Sequence, residues 1–327
     1  KLSDDIRLLL DAPILLVTAK AALNFNDAEW AKLREYSLRG GTLLFMPVHN
    51  NPAFVEALKP ALDKLYAGQR EQSPKNYSLV QVPGGDALYN SWTPMPNGDK
   101  LIGFLGVSDG TRWIALISPV DMACSWQKGA NKPAEHYTAA INLYHYTTGY
   151  NAGRTGGLGS KMRPVFVGSQ EPAKESIKIG WVRHAGNWNT QPYALDYLSQ
   201  KLSAENRLSI DLTAGVQPGK DDLSAFKLLW ITGQDDPEFG EVEVAALRKY
   251  LDGNGTIFLN AIGGSEKFAA AADKLITRLG QGRVGRRVQP TLEHPVMSGK
   301  AGEKYRGLPL ENLRRTHRWS VATRNPQ

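Results

Sequence analysis

The apolar positions between Pro13 and Tyr66 change period several times, and each change marks an element. Pro13 to Thr18 (PILLVT) is a continuous apolar run of strand length, the pattern of a strand covered on both faces. Trp30, Leu33 and Ser37 or Leu38 then recur at helical spacing, with Asn26 or Asp27 as the cap and Gly40-Gly41 as the stop. Thr42 to Met46 reads as a second buried strand. Pro52 to Tyr66 reads as an amphipathic helix carrying Phe54, Leu58, Leu62 and Leu65. Strand, helix, strand, helix with short links predicts parallel strands joined by helical crossovers.

The same text returns later in the chain. FNDAEWAKLREYSLRGGTLLFMPVHN, Phe25 to Asn50, is echoed by FGEVEVAALRKYLDGNGTIFLNAIGG, Phe239 to Gly264. At a constant offset of 214 positions Phe25 meets Phe239, Leu33 and Arg34 meet Leu247 and Arg248, and Tyr36 meets Tyr250. Gly41 and Thr42 meet Gly255 and Thr256; outside the stretch, Thr18 meets Thr232 and Phe54 meets Phe268. A gapless offset over that length predicts two copies of one α/β unit.

The copies are expected to differ in what surrounds the shared part. In the first, Leu101 to Val107 and Arg112 to Ser118 flank Ser108-Asp109-Gly110, a hairpin signal, and Ala134 to Tyr146 reads as a helix. Gly149 to Pro164 is glycine-rich and basic and reads as an exit from the first domain. The second copy opens with a strand (Ile177 to Val182), a polar turn (His184 to Pro192), a helix (Tyr193 to Leu202) and a strand (Leu208 to Leu212). The repeated part follows, from the Lys227 to Thr232 strand to the Ser265 to Leu279 helix, and Arg318 to Thr323 could start a hairpin. The expected domains are 1–167 and 176–327, with 168–175 as a linker. The first is expected to lack its opening strand, helix and strand, and the second its closing hairpin and helix.

Composition narrows the class. At 327 residues, 42% hydrophobic and 22% charged, the chain is long enough for two ordinary cores and is not of disordered composition. No apolar run reaches the length needed to cross a bilayer. The chain opens at Lys1 without an initiator Met, so a fragment or processed form is expected, with any targeting segment outside it. A single cysteine, Cys124, excludes an internal disulfide and a Cys-based zinc site. The net charge of +7 suits solubility or an anionic partner such as a polysaccharide or nucleic acid.

Several motifs in order resemble a bacterial family called domain of unknown function 4159. They are the GGTL strand at Gly40 to Leu43, the Gly106 to Gly110 hairpin, the Asp121 to Trp126 segment (D-x-x-x-x-W) and the NLYHY helix at Asn142 to Tyr146. GNWNTQP in the second copy is similar to the start of the same family unit, and LEHP at Leu292 to Pro295 to its His-Pro turn. The resemblance implies tandem flavodoxin-like α/β units, three-layered and similar to class I glutamine amidotransferases. It also implies an extracytoplasmic, often periplasmic setting. It implies no reaction.

The chemistry can be weighed residue by residue. A nucleophile elbow would follow Thr42 to Phe45, where Met46-Pro47-Val48-His49 stands, and its counterpart is Asn260-Ala261-Ile262-Gly263. Neither holds the Cys or Ser between close glycines that such an elbow needs, which weighs against an amidotransferase or hydrolase of this type. Cys124 as a nucleophile would need a histidine and an electropositive pocket; the simpler reading is a small packed residue. His49 and His184 lie just past strand C-terminal ends, where ligands bind in open α/β sheets; the alternative is a turn residue bonding backbone. His136, His145, His294 and His317 complete the set, and no pair has metalloprotease spacing. Gly153 to Lys161 departs from a phosphate loop, with Ser160 before Lys161 and a helix upstream where a strand is required. Asn187, Trp188 and Asn189 offer an exposed aromatic between amides, either a sugar platform or a loop closure. The arginines of the tail, Arg283, Arg286, Arg287, Arg306, Arg314, Arg315 and Arg318, lack the interleaved aromatics of a nucleic-acid surface.

The resulting expectation is a non-catalytic tandem α/β binding or assembly module, without metal or cofactor. Its partner would be a protein or a small polar ligand such as a sugar at the domain cleft, with self-association possible. Its candidate ligand residues are His49, Asn50, Asp121, Trp126, His184, Asn187 and Trp188. The competing expectations are a hydrolase or amidotransferase-like enzyme using Asp121, His49 or His184, and an anionic-polymer binder.

Overall fold

A computed structural model of the chain describes Leu2 and residues 5–129, 133–148, 174–206, 208–280, 287–288 and 321–322. The chain divides into two compact units, Lys1–Val165 with Thr190–Tyr193, and Phe166–Asn189 with Ala194–Gln327. The glycine-rich exit, the LEHP turn, His294, His317 and the side chains of the tail arginines lie outside the described residues.

The first unit runs α1 (Ile6–Leu10), β1 (Ile14–Ala19), α2 (Asp27–Leu38), β2 (Thr42–Pro47), α3 (Pro52–Leu65) and α4 (Ala67–Gln72). It continues through β3 (Leu79–Gln81), α5 (Ala87–Asn90), α6 (Gly98–Leu101), β4 (Leu105–Ser108), β5 (Trp113–Ile117), α7 (Met122–Lys128) and α8 (Ala134–Thr148). The sheet order is β1-β2-β5-β4-β3. β1, β2 and β5 are parallel, and β4 and β3 add to them antiparallel. Side chains of β2 alternate between two cores, as a period of two requires. Leu43 and Phe45 pack with Leu33, Tyr36, Phe54 and Leu58 of α2 and α3, while Leu44 and Met46 pack with Leu88, Ala139 and Leu143 of α5 and α8. Helices therefore cover both faces of a mixed α/β layer.

The second unit runs β6 (Glu175–Val182), α9 (Ala194–Asn206), β7 (Leu208–Val216), β8 (Leu228–Gly233), α10 (Glu241–Asp252), β9 (Thr256–Ala261) and α11 (Glu266–Gly280). Its main sheet has four strands, all parallel, in the order β7-β6-β8-β9. β10 (Arg287–Val288) and β11 (Val321–Ala322) form a short antiparallel pair, in which only Val321 and Ala322 of the expected Arg318 to Thr323 strand are described.

The repeat survives folding down to register. Ile14 pairs with Thr42 in the first unit, and Leu228 pairs with Thr256 in the second, each 214 positions on. The end of the first repeated helix is the same in both copies. Gly41 N–H donates to Tyr36 O at 2.9 Å and Gly255 N–H to Tyr250 O at 3.0 Å. The tyrosine ring then folds back over its own glycine, and its hydroxyl donates to the carbonyl just before the preceding strand. The distances are 2.6 Å from Tyr36 to Ala12 and 3.3 Å from Tyr250 to Phe226.

Two expectations need correction. β1 is not covered on both faces: it pairs only with β2 among the described strands, and Leu16 is 46% exposed. Its counterpart β8 lies between β6 and β9, and Trp230, the residue matching Leu16, is buried there beside Ile179 and Leu195. The apolar run is thus the same in both copies, and its cover depends on neighbours that the described part of the first unit does not supply. The strand expected from Leu101 starts instead at Leu105. Leu101 closes α6, and Gly103 takes a positive φ of 71° to turn the chain into β4.

Candidate functional site

Parallel α/β sheets present their ligand-binding turns at the C-terminal ends of their strands. In the first unit β2 ends at Pro47, and Val48–Asn50 forms a single helical turn before α3. His49 and Asn50 are both left-handed, with φ of 59° and 54°. At the same offset of 214, Gly263 and Gly264 occupy the matching positions after β9, with φ of 64° and 72°. Glycine adopts this conformation freely and asparagine tolerates it, whereas a side chain such as that of His49 is disfavoured there by on the order of 1–2 kcal/mol.

The next residue shows why the two turns have the same shape. Asn51 caps α3 by accepting from Ala53 N–H at 3.0 Å and donates to Lys20 O at 2.5 Å. Its counterpart Ser265 precedes α11, accepts from Phe268 N–H at 3.3 Å and donates to Gln234 O at 2.5 Å. In each copy one capping side chain ties the helix start to the residue just past the neighbouring strand.

Asp121 adds a clamp in the first unit. One carboxylate oxygen accepts His49 N–H at 2.8 Å, and the other caps α7 by accepting Cys124 N–H at 3.0 Å. Asn50 Oδ1 in turn accepts Asp121 N–H at 2.5 Å. His49, Asn50 and Asp121 are therefore brought together, with the His49 ring exposed and hydrogen-bonded to no described residue. Asp121→Ala removes a cap and the turn's clamp together. It is expected to lower stability by about 1–2 kcal/mol, read by urea unfolding, while Asp121→Asn retains most of it.

Trp126 does not join them. It sits on α7, donates its indole N–H to His136 O at 3.1 Å and packs against the core on the α8 side. Cys124 is a half-buried residue of the same helix. Its helix is also held by Ser125, whose hydroxyl pairs with His136 Nδ1 at 2.8 Å.

The candidates of the second unit turn inward. His184 Nδ1 accepts Gly186 N–H at 3.0 Å, which leaves the proton on Nε2 to donate to Thr232 O at 2.8 Å. Burial against Phe239 and Phe268 pushes the imidazole pKa down to about 4, and the carbonyl bond and Asp236 only partly offset this. Asn187 is buried and donates to Asp235 Oδ2 at 2.8 Å. Trp188 is 4% exposed, edge-on to Trp181 at 5.2 Å, and its carbonyl accepts from Thr232 Oγ1 at 2.7 Å. The expectation of an exposed aromatic at Trp188 is thus overturned. Three tryptophans, Trp181, Trp188 and Trp230, make apolar packing the cheapest place for its ring. His184 and Asn187 act as turn residues bonding backbone and a neighbouring carboxylate.

Beyond the geometry, a family model described as a domain of unknown function (DUF4159) matches residues 3–148 and 178–286. The chain belongs to that family. Two separate matched segments agree with the two copies read from the sequence and from the strand registers. No curated protein matches the chain. DUF4159 membership brings no activity with it. Within this member, the sequence aligned His49-Asn50 with Gly263-Gly264, and what it did not show is that both pairs take the same left-handed backbone.

Proposed function

We propose that this chain is a non-catalytic binding or assembly module of two flavodoxin-like units working outside the cytoplasm, and that the His49-Asn50 turn is its ligand-facing feature. One observation carries this reading. Two side chains occupy consecutive left-handed positions where the other copy of the same fold uses glycine. Unfavourable backbone of this kind persists where surrounding contacts over-determine it, and Asp121 and Asn51 supply those contacts. The exposed imidazole and the neighbouring amide suit a small polar ligand or a polar loop of a partner. Both Asp121 oxygens are engaged by backbone N–H groups, which fits a clamp better than a proton carrier. The extracytoplasmic setting rests on the family resemblance. No helix among the described residues is long and apolar enough to cross a membrane.

His49→Gly separates ligand binding from folding, because glycine relieves the backbone while deleting the ring. The variant is expected to fold and to gain up to about 1 kcal/mol of stability. Thermal shifts with millimolar neutral sugars, amino acids and dicarboxylates supply the binding readout. A stabilising compound should lose its effect in His49→Gly. Hydrolysis of p-nitrophenyl esters or anilides that disappears in His49→Gly would defeat the non-catalytic reading.

A further inference from the structure

We draw no further inference here: the strongest candidate, the outer edge of β1 in the first unit, which pairs with no described strand and leaves Leu16 half exposed, carries nothing because no described residue shows what covers it.

Discussion

Gly41→Ala is expected to destabilise the first unit by about 3 kcal/mol, near the upper end for overpacking a rigid core. A Cβ at position 41 would lie 2.1 Å from Cε1 and Cζ of Tyr36. That ring has no room to retreat: it is fully buried, and its hydroxyl is held by Ala12 O at 2.6 Å. The repeat makes the prediction double. Gly255→Ala would put a Cβ 2.3 Å from Cζ of Tyr250 and should unsettle the second unit in the same way. Urea unfolding of both variants checks this, with Gly68→Ala as the contrast. Gly68 lies in a helix with nothing within 4 Å of the added carbon, so alanine there should be neutral or stabilising by up to about 1 kcal/mol. Wild-type stability in Gly41→Ala would mean that the tyrosine ring is not seated as described.

Acid should weaken the second unit through His184. The imidazole is held neutral, with a pKa near 4 against an ordinary value of 6.5. Above pH 6.5 neither the folded nor the unfolded state binds the proton, and His184 contributes nothing to the pH dependence. Below it the unfolded chain takes up a proton that the folded unit refuses, so stability falls as pH drops from 6.5 toward 4. The full loss is about 3 kcal/mol, of which about 2 kcal/mol should already be gone at pH 5. Few carboxylates titrate between pH 7 and 5, so that interval belongs to the six histidines, and the difference between wild type and a His184 variant separates His184 from the other five. His184→Gln should flatten the slope whatever its stability at pH 7. A slope that is the same in wild type and variant would refute the burial account.

Much of the scaffold was legible because it depends on local rules. Asn26 caps α2 with a capping box closed by Glu29, and Asp121 caps α7; both signals are short-range. Ser108-Asp109-Gly110 turned the chain between β4 and β5 as its composition requires. The site was harder to read, because a residue's type does not say which way its side chain faces. His49, Asn50 and Asp121 did converge, although Asp121 is 71 positions from Asn50 in the chain. Trp126 went to the core beside α8, and Trp188 went beneath Trp181.

By itself, then, the sequence determined the duplication, the strand-helix-strand-helix unit that both copies share and the lack of a Cys or Ser in the turn after its second strand, while α4, β3, α5 and α6 between Tyr66 and Leu105 went unread. Caps, turn residues and hydrophobic period all act within a few positions, and the offset of 214 made each copy a check on the other. Tertiary structure alone decided exposure. Leu16 and Trp230 occupy one repeat position, yet Trp230 is covered by the β6 layer and Leu16 is half open, because burial depends on neighbours brought from elsewhere in the chain. It also showed that His49 and Asn50 take the left-handed backbone that Gly263 and Gly264 take in the other copy.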